Sequence, residues 1–196
     1  MLQVQADEIS TVSRTLAAAF ADDPIFEILF GGSVPEARAV RFFQIMAKAQ
    51  FGHGLVFRTA GNEAAAIWAP PGEWKLPISQ IARNAPGFIS VFGRRMLANL
   101  ALLGRLEKAH PTEPHYYLEF IGTGPEHQGK GMGSQLMRPM IERCDTEGVG
   151  AYLESSKEEN LAFYGRFGFE VTQVLTHRGL HGAPGPQQWL MWRNPR

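Results

Sequence analysis

The sequence predicts an α/β (α+β) fold with a mixed central sheet and flanking helices. Three observations carry that expectation. The second half alternates short apolar runs with helical patterns, in the order strand–helix–strand–helix–strand. A glycine-rich turn, Gln128 to Gly133, joins the first of these strands to the first of these helices. The chain has 196 residues, 44% of them hydrophobic. A chain of that length buries about 70% of its unfolded surface, so residues 1–196 are expected to form a single domain without a staple.

The elements follow in order. Val12, Leu16 and Phe20 keep helical spacing and predict a helix over residues 7–21, stopped by Asp22-Asp23-Pro24. Ser33-Val34-Pro35-Glu36 has the form of a capping box with a proline in the first turn. The helix it starts, over about 35–50, is expected to bury Val40, Phe43 and Ala47. Leu55 to Ala60 and Glu63 to Ala69 flank Gly61-Asn62 and read as a hairpin. The second run ends in Trp68-Ala69-Pro70-Pro71-Gly72, which cannot continue a ladder and becomes a loop. Residues 77–108 read as helices broken near Pro86, with Phe88, Phe92, Met96, Leu100 and Leu103 as an apolar stripe. Tyr116 to Thr123 is a strand closed by Gly124-Pro125, and a helix over 132–147 buries Leu136, Met140, Ile141 and Cys144. Pro139 predicts a kink in that helix, and Gly148 ends it. A strand at Val149–Glu154, a short helix at Asn160–Phe167, a strand at Phe169–Thr176 and a final strand at Gln188–Trp192 complete the chain.

Composition excludes several classes. Nineteen basic residues balance nineteen acidic ones, which rules out general electrostatic capture of nucleic acid or anionic membrane. Cys144 stands alone, so there is no intramolecular disulfide, and a reducing compartment fits. The first residues lack the basic start of a signal peptide. The apolar stretch Gly87–Leu106 contains Arg94, Arg95 and Arg105 and does not read as a membrane span. A cytoplasmic protein without nucleic-acid or membrane partners is expected. The six histidines form no metal motif, and although His177 and His181 are four apart, Gly179 and the glycine–proline run after it argue against a helix. No metal is expected.

The chemistry concentrates between Tyr117 and Ser134. Gly129, Gly131 and Gly133 alternate between a strand end and a helix start. Glycine permits positive φ and close approach of a ligand to the backbone. Successive N–H groups there can point outward together, reinforced by the positive end of the helix, to bind a pyrophosphate, with Lys130 reaching the same anion. The competing reading is a flexible strand–helix turn. The spacing is not that of a P-loop, and the acidic residue of a dinucleotide site is missing unless Glu154 supplies it.

Gln128-Gly-Lys-Gly-Met-Gly133, behind an apolar strand and Pro125, resembles the Gln/Arg-x-x-Gly-x-Gly/Ala motif of the GNAT superfamily of N-acetyltransferases. Leu153-Glu-Ser-Ser, Asn160-Leu-Ala-Phe-Tyr164 and Phe167-Gly-Phe169 are similar to its second block. Pro114, His-Gln-Gly-Lys-Gly and Leu-Glu-Ser-Ser together resemble the puromycin N-acetyltransferase type of antibiotic acetyltransferases. The superfamily resemblance covers about residues 115–175. It implies acetyl-CoA as co-substrate, held in a slot between two splayed strands. By that resemblance, the amides of Gln128, Gly129, Lys130, Gly131, Met132, Gly133 and Ser134 hold the pyrophosphate, and Ile121, Gly122 and Thr123 pair with the pantetheine arm. Thr123-Gly124 departs from the family's usual valine and variable residue, a change that backbone pairing tolerates.

Acetyl transfer needs an uncharged amine, a donor for the oxyanion and a proton for the departing thiolate. The main-chain N–H near Ile121–Thr123 is the candidate oxyanion donor. Tyr164 stands where the family motif places the general acid; a phenol with a reference pKa of about 10 stays protonated at neutral pH. Its competing role is packing beside Phe163 and Phe167. Glu119, an acid in an apolar strand, is a candidate base; alternation puts it on the face of Tyr117 and Ile121, opposite Leu118 and Phe120. Glu154 is a second candidate, or a cap for Ser155-Ser156, and a water is a third. Asn160 caps its helix or binds the pantetheine. Cys144 reads as core. The acceptor site is expected in the first half, on the loop Trp68–Trp74 with Glu73, beneath a lid of residues 86–106; Asp22 and Asp23 could attract a cationic acceptor.

The expected function is acetyl-CoA-dependent N-acetylation of a small-molecule amine. The alternatives are a non-catalytic acyl-CoA-binding sensor, a protein or peptide N-acetyltransferase and a nucleotide-binding module. The acceptor's identity and the oligomeric state stay open.

Overall fold

The computed structural model describes residues 1–75, 78–180 and 184–196. Its strands are β1 (Leu2–Gln3), β2 (Val56–Arg58), β3 (Ala64–Ala69), β4 (His115–Thr123), β5 (Gly150–Ser155), β6 (Glu170–Arg178) and β7 (Pro184–Arg193). They form one seven-stranded sheet in the order β1-β2-β3-β4-β5-β7-β6, in which β4 and β5 run parallel and all other neighbours antiparallel. The helices are α1 (Ile9–Ala19), α2 (Pro24–Phe30), α3 (Glu36–Phe51), α4 (Ile78–Phe92), α5 (Met96–Ala109), α6 (Met132–Glu147) and α7 (Leu161–Gly165).

Alternation along β3 divides the core. Ala65 and Ile67 face a cluster built by α1–α5, while Ala64, Ala66 and Trp68 face α6. The first cluster is rich in phenylalanine: Phe26 and Phe43 stack 5.4 Å apart, and Phe120 from β4 meets both edge-on. The second holds Leu136, Met137, Met140 and Cys144 of α6 against Tyr116, Leu118 and Leu153. Every residue of β3 is buried, as a central strand covered on both sides must be.

Several local readings needed correction. Asp23-Pro24 ends α1 and also starts a helix, because the Asp23 carboxylate accepts from the N–H of Ile25 (2.9 Å) and Phe26 (3.0 Å) with Pro24 at the first position. The expected capping box at Ser33 does not form: Pro35 is the N-cap of α3, without a side-chain cap. Ala39 and Phe42 are buried beside Phe43 and Ala47, while Val40 is half-buried. α4 continues through Pro86; the break falls at Gly93, where φ is +52°. Residue 77, where the first of these helices was expected to start, lies outside the described residues, as does His181. The apolar stripe is half right: Phe88, Phe92 and Met96 pack on the core, but Leu100 and Leu103 are exposed. Pro139 lies inside α6, which is unbroken from Met132 to Glu147.

Candidate active site

β4 and β5 pair from His115↔Gly150 to Leu118↔Leu153, and the ladder ends there. Beyond it β4 continues on β3 to Thr123, and β5 continues on β7 to Ser155. The two strands therefore splay, and the inner edge of β4 presents main-chain groups with no strand beside them. The opening leads into a cleft of about 700 Å³.

The splay begins at a β-bulge. Trp68 pairs with Leu118 and Ile67 with Phe120, so Glu119 has no residue opposite. The extra residue resets the alternation. Phe120 joins the phenylalanine cluster, whereas Ile121 packs on the α6 side with Tyr116 and Leu118. Glu119 turns toward α3, so the expected face shared with Ile121 is not observed.

Glu119 Oε1 accepts from Gln50 Nε2 at 2.6 Å, and its Oε2 is buried without a partner. Burial is the main force on this carboxyl and pushes its pKa up to about 8; the Gln50 hydrogen bond opposes the rise, and the nearby Glu154 adds to it. Glu154 sits across the splay with both oxygens engaged: Oε2 accepts from Tyr117 Oη at 2.9 Å and Oε1 from Tyr152 Oη at 3.0 Å. It does not cap Ser155-Ser156.

At the other end of β4 the glycine loop turns into α6. Gly129 (φ +73°) and Gly131 (φ +81°) occupy the left-handed region with open space around them, so backbone conformation requires glycine there, not packing. Gly131 is the N-cap of α6, and no side chain caps the first turn. The N–H groups of that turn are therefore available to an anion. Gln128 Nε2 donates to Thr123 O at 3.4 Å, bracing the loop against β4. Gly133 is needed for space, since a Cβ would lie 3.1 Å from Phe163. Gly122 is needed more strictly: its Cβ would lie 2.6 Å from the Ala19 Cβ of α1.

Tyr164 is buried at the cleft wall, and burial with the neighbouring Asp23 raises its pKa, so the phenol stays protonated. Asn160 lines the cleft and makes no side-chain cap, which removes the capping role. Every candidate site residue lines the cleft except Lys130, whose Nζ folds back onto Glu126 O at 2.9 Å. Cys144 is buried in the α6 core with its thiol pushed up to about 11 by burial, which fits an inert core residue. Among the described residues no group of acids, histidines and cysteine could hold a metal.

The loop expected to hold the acceptor does not line the cleft. Trp68 is fully buried in β3, and Trp74 stacks on His110 at 3.6 Å, away from the cleft. The cleft wall is made instead by Phe26 and Leu29 of α2, Phe42 of α3, and Leu102, Leu103 and Leu106 of α5. The anticipated lid segment thus takes part through α5. At the rim, Lys157 Nζ binds Asp22 at 2.8 Å and Ser156 Oγ donates to Asp23, a clasp between the α1–α2 turn and the loop after β5. Gln50, Tyr117 and Tyr152 were missed in the sequence; Gln50 is the polar residue at helical spacing after Phe43 and Ala47, which was the available signal.

Residues 77–169 match the model of the Acetyltransferase (GNAT) family. The chain has the GNAT fold, and just under half of it is similar to an acetyltransferase domain of that family. An uncharacterized N-acetyltransferase of Schizosaccharomyces pombe is 26% identical over 192 residues, covering 88% of this chain and 75% of that protein. A probable serine/threonine-protein kinase of Dictyostelium discoideum is 23% identical over 202 residues, which take in 89% of this chain but 21% of that much longer protein. Solved structures share the fold. An acetyltransferase from Corynebacterium glutamicum described as histone acetyltransferase HPA2 and related has a TM-score of 0.72 at 23% identity, over 100% of this chain and 95% of that one. The polyamine N-acetyltransferase of Drosophila melanogaster, described as forming N-acetylagmatine, has a TM-score of 0.68 at 18% identity, over 98% and 97%. The family generally uses acetyl-CoA as co-substrate. No described helix is long and apolar enough to cross a membrane.

Proposed function

We propose that this GNAT enzyme, working as a single domain in the cytoplasm, transfers the acetyl group of acetyl-CoA to the amine of a small molecule with an apolar body. The observation that carries the reading is Glu119: a buried carboxyl with pKa about 8, held at the mouth of the splay between the open β4 edge and the wall of Phe26, Phe42, Leu102 and Leu106. A group poised near the working pH is suited to take a proton from an ammonium or from the attacking amine. The wall would take up apolar surface of the acceptor.

Bound in the slot, acetyl-CoA supplies the thioester. The residues act on it as follows. The α6 first turn, with the amides of 128–134, holds the pyrophosphate; the β4 edge at 121–123 aligns the pantetheine arm and offers an N–H to the thioester oxygen. Glu119 accepts the amine proton as the C–N bond forms, and Tyr164 gives its phenolic proton to sulfur as the C–S bond breaks. Glu154, with both oxygens already engaged, supports rather than replaces Glu119.

The solved structure described as forming N-acetylagmatine supports an amine acceptor without choosing one. The puromycin-type motifs add aminonucleosides to the candidates. The test is calorimetric titration with acetyl-CoA, with ATP and NAD as controls, followed by a thiol-release assay over arylalkylamines, aliphatic polyamines, aminonucleosides and a basic peptide. Saturable acetyl-CoA binding with turnover on apolar amines is expected. Binding without turnover on any amine would replace this reading with an acyl-CoA sensor, and ATP or NAD competing for the loop would replace it with a nucleotide-binding module.

A further inference from the structure

A second cavity, of about 430 Å³, lies between the loop at 71–75 and the turn that enters β4, and His110 and His115 line it. A row of buried polar side chains connects it to the acetyl-transfer cleft. His115 Nδ1 is 2.6 Å from Glu113 O, and His115 Nε2 is 3.0 Å from His110 Nε2. His110 Nδ1 then lies 3.9 Å from Glu154 Oε1, with both side chains almost wholly buried. Glu154 lines the cleft.

The distances fix the tautomers. A carbonyl oxygen only accepts, so His115 carries its proton on Nδ1 and, when neutral, offers a lone pair at Nε2. His110 must therefore donate from Nε2. Neutral His110 is left with a lone pair on Nδ1, aimed at a carboxylate whose oxygens already accept from Tyr117 and Tyr152. Two lone pairs face each other there, and the contact becomes favourable once a proton enters it. Trp74, stacked on the His110 ring at 3.6 Å and 20°, suits a cation at that position. Burial and the neighbouring His110 hold the His115 pKa below its ordinary value, which keeps His115 as the neutral partner.

We propose that His110 is a proton-relay residue acting through Glu154: the proton released from the acceptor amine passes into the cleft, is taken from Glu154 onto His110 Nδ1, and leaves to solvent through the second cavity. This rests on the acetyl-transfer reading. The bonds balance: an amine N–H breaks as the Glu119 O–H forms, that O–H breaks as a Glu154 O–H forms, the Glu154 O–H breaks as His110 Nδ1–H forms, and a ring N–H of His110 then breaks as a water in the second cavity, which His110 lines, takes the proton. The groups facing the ring are Glu154 and Tyr152 of β5, His115 and Tyr117 of β4, and Trp74; the Lys75–Glu107 ion pair stands near Trp74 at the cavity.

The test has two arms. Histidine-selective nitrogen NMR on the whole protein reads the tautomers without any substrate. The expected result is a proton on His115 Nδ1 and, in neutral His110, a proton on Nε2 with none on Nδ1. A proton on His115 Nε2, or a neutral His110 protonated on Nδ1, overturns the proposal whether or not any amine is acetylated. In the kinetic arm, His110→Gln keeps a donor toward His115 but cannot take up a proton. Its kcat should fall at least tenfold with unchanged acetyl-CoA affinity, and added imidazole should restore part of the loss. Unchanged kcat and pH profile overturn the relay; so does a loss that imidazole leaves untouched and that comes with weaker acetyl-CoA binding, which marks a structural role. Wild-type protein that binds acetyl-CoA but turns over no amine would instead sink the acetyl-transfer reading.

Discussion

Gln50 Nε2 donates to Glu119 Oε1 at 2.6 Å, so the last turn of α3 holds the residue at which β4 bulges. The contact restrains a carboxyl that burial would otherwise drive further from its ordinary range. With Glu119 as base, kcat at saturating substrates should rise with pH around a midpoint near the carboxyl's pKa of about 8. Gln50→Leu should move that midpoint upward and lower kcat at neutral pH, because the bond it removes favours the ionised form. A midpoint that stays in place would separate Gln50 from the base.

Glu119→Gln should lower kcat by about 10²–10⁴-fold, the range of lost general-base help. The same change should stabilise the fold at alkaline pH. Because the folded pKa is raised, the native state holds a proton that the unfolded chain has released, so stability falls as pH rises from the ordinary carboxylate range through about 8. Glutamine removes that loss. Thermal melts should therefore show little difference at acid pH and a higher Tm for the variant above pH 8; melts in which the two proteins run parallel across pH would contradict it.

Tyr164→Phe should leave the acetyl-CoA Kd unchanged while lowering kcat at least tenfold, since the phenyl ring keeps the packing and only the proton donor is lost. Calorimetry and initial rates on the same preparation separate the two effects. Equal turnover would make Tyr164 a packing residue.

The loop offers a paired comparison. Gly131→Ala forces a side chain into φ +81° and should weaken acetyl-CoA binding tenfold or more, with roughly 1 kcal/mol of lost stability. Lys130→Ala should change Kd less than threefold, because Lys130 is turned back onto Glu126 O. A larger loss at Lys130 than at Gly131 would mean that charge, not backbone shape, holds the phosphate.

Much of the second half was legible because its signals are local. Gly148 does stop α6, in the left-handed conformation, and Gly61-Asn62 does turn the hairpin, with Asn62 at φ +63°. The β4 bulge was not legible: strict alternation assumes one residue opposite each residue, and the extra one at Glu119 is a property of the β3–β4 pair rather than of either strand. Asp23-Pro24 was read as an end alone because a stop and a start share the same residues. The loop expected to hold the acceptor was misread for a related reason. Trp68 looked like a loop aromatic from the prolines that follow it, yet the strand runs through Ala69 and takes its indole into the core. Long-range partnerships such as Gln50 with Glu119, or His110 with Glu154, leave no spacing in the chain to read.

The clasp at the rim joins the α1–α2 turn to the loop after β5, both of which line the cleft. One of its two links, Lys157 to Asp22, is a single ion pair with its carboxylate largely in water. Such a pair weakens as the Debye length shrinks from about 8 Å at physiological salt to about 3 Å at 1 M. The other link is a part-buried hydrogen bond from a neutral hydroxyl to Asp23 and does not weaken in the same way. Ionic strength thus acts on one half of the clasp alone, leaving the rim of the cleft held by one contact that salt loosens and one that it does not.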